Sequence, residues 1–378
     1  MKISSRILGL IIICLGILFV SFNYINKEND SNLNEIKFTN YNELYGIPLE
    51  KSSPLAYIDG KTAGKQNLKN LAILIKFSDS DVNVVHHIDD TESISNAQKI
   101  YNSDYFEMNT EKGLMKVPSF KTYFEKQSYG KLSLTTELLP KINGNVIAYK
   151  DKHPIGYYLR YSEVNQLGYK NSQESLQRET ELVNNAILYV ANNSLLNISA
   201  SEIDAQGDGF VDAISFIVEG QKNLPVGIRW GELLWSHMLN NTGVTATILG
   251  KKVKAYNLLY AGDYTESANL FSLNRGTYGT IIHEFGHMLG YRDLYRHDYV
   301  GNPVGFYDIM ANTIGSNPQN FLTYYISEFD TAMNFHKALP VINKTKKNIT
   351  LYKPEFVDDN ELRAVTVSNT IISMPRRL

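Results

Sequence analysis

The sequence predicts a mixed α/β (α+β) domain, and three features carry that expectation. Two near-continuous apolar runs, Leu71-Ala72-Ile73-Leu74-Ile75 and Val211 to Val218, read as strands covered on both faces. An amphipathic pattern from Glu174 to Val190 reads as a helix of about four turns. A second helical pattern, Thr277 to Leu289, carries an apolar stripe together with His283, Glu284 and His287. The chain has 378 residues, 43% apolar and 20% charged, which suffices for a sizeable core and argues against disorder.

Taken in order, the N-terminus comes first. Lys2 and Arg6 precede an apolar run from Ile7 to Phe22. A short positive segment before such a run reads as a secretory signal. The run is shorter than the ~20 residues of a comfortable spanning helix. No clean small-x-small pair follows it, so a membrane anchor through residues 7–22 stays open beside a signal over 1–22. The chain's one cysteine, Cys14, lies inside the run. Without residues 1–22, disulfides, thiol nucleophiles and thiolate ligands are all excluded. Residues 23–66 are polar and read as a linker or pro-segment, with a Lys51-Ser52-Ser53-Pro54 turn.

The strand at Leu71–Ile75 opens the expected catalytic domain, 67–336. Tyr123 to Gly130 reads as a helix ending at a glycine, and Lys131 to Thr135 alternates like a strand. In the helix from Glu174, the apolar positions are Leu176, Val183, Ile187 and Val190. After the strand at Val211–Val218, Val253 to Leu258 alternates as a third strand. A further helix is expected around Phe321 to Phe335. Residues 337–378 form a short tail with β-like pieces such as Ile349-Thr350-Leu351-Tyr352, and its abrupt end leaves a truncated product open. Lys and Arg total 37 against 39 Asp and Glu, a formal charge of -2, which argues against a nucleic-acid partner.

The chemistry concentrates in His283-Glu284-Phe285-Gly286-His287. Two histidines four apart on a helix face one way and can reach one ion, and Glu284 can take a proton from a water there. Ile281, Ile282, Phe285, Met288 and Leu289 supply the stripe that docks the helix. Such a pentapeptide is expected by chance about 0.01 times in a chain of this composition. Zinc needs a third protein ligand and an open position. Gly290 permits a sharp left-handed turn, after which Asp293 can swing back to the ion. His297 and Glu328 are rival third ligands. The Gly290 turn has no purpose under the Glu328 reading, so Asp293 leads. Met310, in Gly305-Phe306-Tyr307-Asp308-Ile309-Met310-Ala311, reads as an adaptable apolar floor beneath the site, a Met-turn.

At these residues the chain resembles the immune inhibitor A family of secreted bacterial zinc metallopeptidases, of the metzincin clan. The likeness rests on His283 to Gly290 with Asp293 and Tyr295, and on the Tyr307-Asp308-Ile309-Met310-Ala311 turn. Weaker likenesses run through Leu71–Asp79, Ser128–Leu132, Asp204–Asp212 and Leu234–His237, so that together they span roughly 68 to 330. The resemblance implies a metzincin-like fold with a twisted mixed sheet, a zinc helix, a Met-turn and two subdomains around a cleft. It also implies secretion and often a pro-segment. The family commonly has Leu-Pro between the glycine and the aspartate, where this chain has Tyr291-Arg292.

Secondary candidates are weaker. Asp204, Gln206, Asp208 and Asp212 occupy oxygen positions of a calcium-loop-like turn, with Gly209 at its sixth position, yet Ser215 stands where a bidentate glutamate would complete it. A glycine-rich turn with solvated aspartates is the competing reading. His237 is a candidate for supporting the transition state, against a packed histidine with a satisfied ring. Tyr295 is read either as a donor behind the third ligand or as core. His86 and His87 are read as surface residues, and His153 is given no function.

The sequence thus predicts a secreted zinc endopeptidase acting on proteins or peptides. The alternative is an inert cell-surface binding protein on the same fold.

Overall fold

Apolar runs too continuous to leave one face in water become the centre of a sheet. The computed structural model describes residues 66–83, 87–110, 113–128, 130–194, 196–221, 234–240, 243–261, 278–291, 293–295, 304–311, 318–319, 341–342, 364–367 and 370–373. All belong to the larger of two units into which the chain divides, Leu49–Leu378.

Strands β1 (Gln66–Lys76), β4 (Leu132–Leu139), β7 (Tyr149–Lys150), β8 (Ala213–Glu219), β9 (His237–Asn240) and β12 (Ala255–Ala261) make the central sheet, in the order β4-β1-β8-β12-β9 with β7 also pairing β1. Two small pairs lie apart from it, β5 (Lys141–Ile142) with β6 (Asn145–Val146) and β10 (Thr247–Ile248) with β11 (Lys251–Lys252). β1 runs parallel to β4, β7 and β8, and β8 runs parallel to β12. The edge strand β9 is antiparallel to β12, pairing His237 with Leu258. The sheet is therefore mixed, as the family resemblance implies. Every residue of β8 and of β12 is buried, including the polar Ser215, Glu219 and Asn257 among their apolar neighbours.

One face of the sheet packs on a core that includes Leu68, Ala72, Leu74, Ile217 and Leu259. Helices α1 (Thr91–Asn102) and α2 (Phe120–Gln127) feed this core, with the hairpin of β2 (Tyr105–Thr110) and β3 (Gly113–Pro118). Leu71, Ile73 and Phe216 sit in the opposite pleat phase. There the long helix α3 (Ser172–Asn193) buries Leu182, Val183, Ala186, Ile187 and Val190. Asn171 caps α3, its Oδ1 accepting from the Glu174 N–H at 2.9 Å. The buried stripe also contains Glu179, which the apolar pattern did not mark, whereas Leu176 is only half-buried.

The predicted elements recur with shifted ends. The helix expected at Tyr123–Gly130 is α2, set back by its cap Ser119, whose Oγ accepts from the Thr122 N–H at 3.2 Å. Gly130 follows at φ +75°. The third strand begins at Ala255 and runs on to Ala261. Helix α1 and the β2–β3 hairpin are additions, because α1 buries Ser93 and Asn96 beside only Ala97, Ile100 and Tyr101 and gives no clean apolar period. Short strands β13 (Val341–Ile342), β14 (Ala364–Val367) and β15 (Thr370–Ser373) pair late in the chain. The segments 1–22 and 23–65, the helix near 321–335 and the piece at 349–352 lie outside the described residues. Among the described residues, no helix is long and apolar enough to cross a membrane.

Candidate metal centre

Helix α4 (Tyr278–Met288) carries the two histidines. Its apolar side fixes it in place. Phe285 meets Phe120 edge-on at 4.8 Å between ring centroids and Phe124 at 5.0 Å. Tyr278 packs edge-on against Phe106 at 5.0 Å, and its hydroxyl donates to the Pro118 carbonyl. The helix is thus pinned to α2 and to the β2–β3 hairpin.

The helix ends in a Schellman closure. The Gly290 N–H donates to the His287 carbonyl at 2.9 Å and the Tyr291 N–H to the Gly286 carbonyl at 3.0 Å. Gly290 sits at φ +95°, a conformation that disfavours a side chain. The turn expected at this glycine is present, and it returns Asp293 to the helix.

His283, His287 and Asp293 come together, one ligand atom from each lying within 4.8 Å of the others. Asp293 Oδ1 is 3.1 Å from His283 Nε2 and 3.4 Å from His287 Nε2. The two imidazole rings stand perpendicular, 4.8 Å apart. Each ring is oriented from behind by a backbone carbonyl. His283 Nδ1 donates to Ile309 O and His287 Nδ1 donates to Tyr291 O, both at 2.8 Å. With Nδ1 carrying the proton, the neutral ring turns the lone pair of Nε2 inward. Asp293 Oδ1 is buried and has no partner of hydrogen-bond geometry. Two nitrogens and one carboxylate oxygen therefore converge as acceptors, and a shared cation satisfies all three.

The electrostatics agree. Burial would raise the Asp293 carboxyl, but the facing imidazoles outweigh it and hold it well below the usual carboxylate range. Burial opposes charge on His287, yet Asp293 lifts it to about 9. His283 is raised by Asp293 in the same way, against burial. Positive charge is strongly favoured at this point. Glu284, between the histidines, is buried.

Met310 is fully buried in the same core as α4. Its segment turns at Asp308, whose carbonyl accepts from the Ala311 N–H at 3.2 Å, and Met310 O accepts from the Leu294 N–H at 2.6 Å. The Tyr295 ring lies nearly parallel to that of His283, 6.4 Å away. The rival ligands His297 and Glu328, with His86 and Arg292, lie outside the described residues.

His237 lies on β9, which packs beside α4. Its Nδ1 is 2.6 Å from Trp235 O and its Nε2 3.1 Å from Glu179 Oε1. Both ring nitrogens thus face protein acceptors, so support of a transition state by direct donation would require it to exchange a partner. Glu179 was missed because a stripe read for apolar residues passes over a carboxylate. The carbonyls of Ile309 and Tyr291 leave no side-chain signal at all.

The loop from Asp204 to Asp212 closes on itself. Asp204 accepts from the N–H groups of Asp208 and Gly209 at 2.9 and 3.0 Å, Asp212 from Ala205 N–H at 2.8 Å, and Asp208 from Phe210 N–H at 3.0 Å. Gln206 Nε2 lies 3.4 Å from Asp212 Oδ1. Lys251 Nζ reaches Asp204 Oδ2 at 2.5 Å and supplies the positive charge. This geometry gives the calcium expectation at Asp204, Gln206, Asp208 and Asp212 no support. Elsewhere, His87 is less of a surface residue than expected, since its Nδ1 pairs with buried Glu219 at 3.3 Å. His153 stacks on Tyr157 at 3.9 Å and leans on Asp151.

Comparison with known proteins gives one family. The model of the immune inhibitor A peptidase M6, catalytic domain, matches residues 59–336. No curated protein matches the chain.

Proposed function

The chain belongs to the immune inhibitor A peptidase M6 family, whose members are metallopeptidases, and on that premise we propose that it is a secreted zinc-dependent endopeptidase. One observation supports this reading above the others. Asp293 Oδ1 is buried between the two Nε2 atoms, at 3.1 and 3.4 Å, and each Nε2 is turned inward by a carbonyl behind its ring. Two imidazoles and one carboxylate with a remaining open position suit catalytic zinc.

Bound at His283, His287 and Asp293, zinc would polarise the scissile carbonyl and lower the pKa of a water. Glu284 takes the proton of the attacking water and hands it to the leaving amine. The carbonyls of Ile309 and Tyr291 keep each imidazole in one tautomer throughout. Met310, next to the Ile309 carbonyl that holds His283, would supply the apolar floor of a metzincin-type Met-turn.

Residues 67–336 are proposed as the catalytic domain, preceded by a signal or anchor over 1–22 and a linker or pro-segment over 23–66. Residues 337–378 are proposed as a short tail, of which β13, β14 and β15 are the described part. The signal-like start is the ground for secretion, with anchoring at the cell surface through residues 7–22 as the variant. Metal analysis of the purified chain tests the site. About one zinc per chain is expected, and a chain that takes up none from micromolar zinc refutes the reading.

A further inference from the structure

Residues 157–170 lead into α3 and fold back on themselves. The Tyr161 N–H donates to Tyr169 O at 2.8 Å and the Tyr169 N–H to Leu159 O at 2.9 Å, which ties the two limbs together. Gly168 lets them close, since a Cβ there would lie 2.5 Å from Arg160 C and Tyr161 N. Asn165, only 5% exposed, fills the inside. Its Nδ2 donates to Gly156 O at 2.8 Å and to Arg160 O at 3.0 Å. Arg178 on α3 stacks over the Tyr157 ring at 3.9 Å and donates to the carbonyls of Tyr157 and Leu167. The loop is therefore a fixed body set on α3.

What it holds outward is apolar. Val164 is 72% exposed, Leu167 58% and Tyr161 44%. A loop that turns an asparagine inward and aliphatic side chains into water has the pattern of a surface meant to be covered. Cations flank the three. Lys170 Nζ lies 5.2 Å over the Tyr161 ring, and Arg160 is exposed with no acidic partner among the described residues. Glu163 is the one carboxylate in residues 157–170.

Two properties select a lipid surface over a protein partner. Three side chains fall well short of the about 800 Å² per partner that a stable protein interface takes. The loop backbone is also closed on itself. The carbonyls of Leu159, Arg160, Ser162, Asn165, Leu167 and Tyr169 each accept from within the protein. Backbone entering lipid must be satisfied internally, whereas a protein partner shares hydrogen bonds across the interface. A tyrosine and two aliphatic side chains suit the boundary between headgroups and acyl chains, and long basic side chains beside them reach headgroup phosphate.

We propose that the crest of this loop, Tyr161, Val164 and Leu167, is a docking surface for an anionic lipid bilayer, with Arg160 and Lys170 meeting the headgroup charge. Docking of this kind needs nothing from the metal centre, which α4 carries on the sheet face opposite α3.

The test uses the full chain and vesicles of phosphatidylcholine with about one third phosphatidylglycerol. Affinity is read by co-sedimentation. A spin label in the acyl region, followed by methyl NMR, reads the contact residue by residue. In the native protein, vesicles broaden the Val164 and Leu167 methyl signals and leave those of buried Leu71 and Ile73 sharp. The double variant Val164→Asp with Leu167→Asp keeps its melting temperature and binds about 10-fold or more weakly, as expected when two apolar side chains no longer enter lipid. Both chains carry the apolar run 7–22, so the difference between them reports the loop alone.

Equal affinity of the native chain and the double variant overturns the proposal. So do sharp Val164 and Leu167 signals in vesicle-bound protein, which would place the contact elsewhere. Equal binding to pure phosphatidylcholine overturns the anionic assignment and with it the part given to Arg160 and Lys170. A dimer in lipid-free solution that the double variant lacks would assign the crest to a second copy and overturn lipid docking.

Discussion

His283 Nδ1 donates to the carbonyl of Ile309 at 2.8 Å, which ties the histidine helix to the turn bearing Met310. The equivalent bond from His287 goes to Tyr291, the residue just past the helix end. Each ring is therefore fixed by a different stretch of backbone, and the two stretches are joined where Leu294 N–H meets Met310 O. The site is a property of this small closed circuit as much as of the histidine motif.

Glu284 sits between the two ligand histidines and is assigned proton transfer alone. Glu284→Gln should keep the fold and the zinc while kcat falls at least ~100-fold, the scale of a lost general base. Steady-state kinetics beside metal analysis checks this. Near-native turnover in a zinc-loaded variant would reassign the base.

Removal of a ligand should act on metal first. His287→Ala and Asp293→Ala should each lose zinc and activity together, since two remaining ligands cannot make a closed three-residue set. Isothermal titration with zinc reads the loss directly. Full occupancy in Asp293→Ala would return the third-ligand role to His297 or Glu328.

Gly290 carries the turn at φ +95°. Gly290→Ala should destabilise the fold by about 1–2 kcal/mol, the cost of a side chain in left-handed backbone. It should also displace the Tyr291 carbonyl and weaken zinc binding by roughly 10-fold or more, as loss of a partner behind a ligand does. A variant with unchanged melting and unchanged zinc affinity would show that the turn tolerates a Cβ.

Asp212 gives a pH test of its loop. Burial, helped by Asp204 and Asp208, raises its pKa from 3.8 to about 6. The folded state then holds the proton more tightly than the unfolded state. Its contribution to stability is full below about pH 4 and is lost as pH rises through 6. Two units correspond to about 3 kcal/mol at most. Asp212→Asn should therefore raise the melting temperature at pH 7.5 and leave it unchanged at pH 4. A lower melting temperature at pH 7.5, in a native protein further stabilised by calcium, would restore the loop as a cation site.

Much of the fold was legible in the sequence because strands buried on both faces cannot hide their apolar runs. β1 and β8 are the examples, whereas β12, read from an alternation, begins two residues later than that alternation suggests and is buried throughout. The convergence of His283, His287 and Asp293 was readable from spacing and one glycine. What escaped was what tertiary contact creates. The ring-orienting carbonyls of Ile309 and Tyr291 belong to backbone and carry no residue preference. Lys251 is distant in sequence from Asp204, and nothing local announces their pairing. Glu179 was visible in principle, three residues after Leu176 and four before Val183 on the apolar stripe. A charge at that phase marks a buried partner, here His237.

The most direct test of zinc-dependent peptidase action is cleavage of an unfolded protein by the purified chain. It is measured before chelation, after chelation, and after return of zinc, with Glu284→Gln alongside. The account predicts cleavage that chelation abolishes, that zinc restores, and that the variant lacks in all three conditions. Cleavage that survives chelation, or that Glu284→Gln retains, would contradict it.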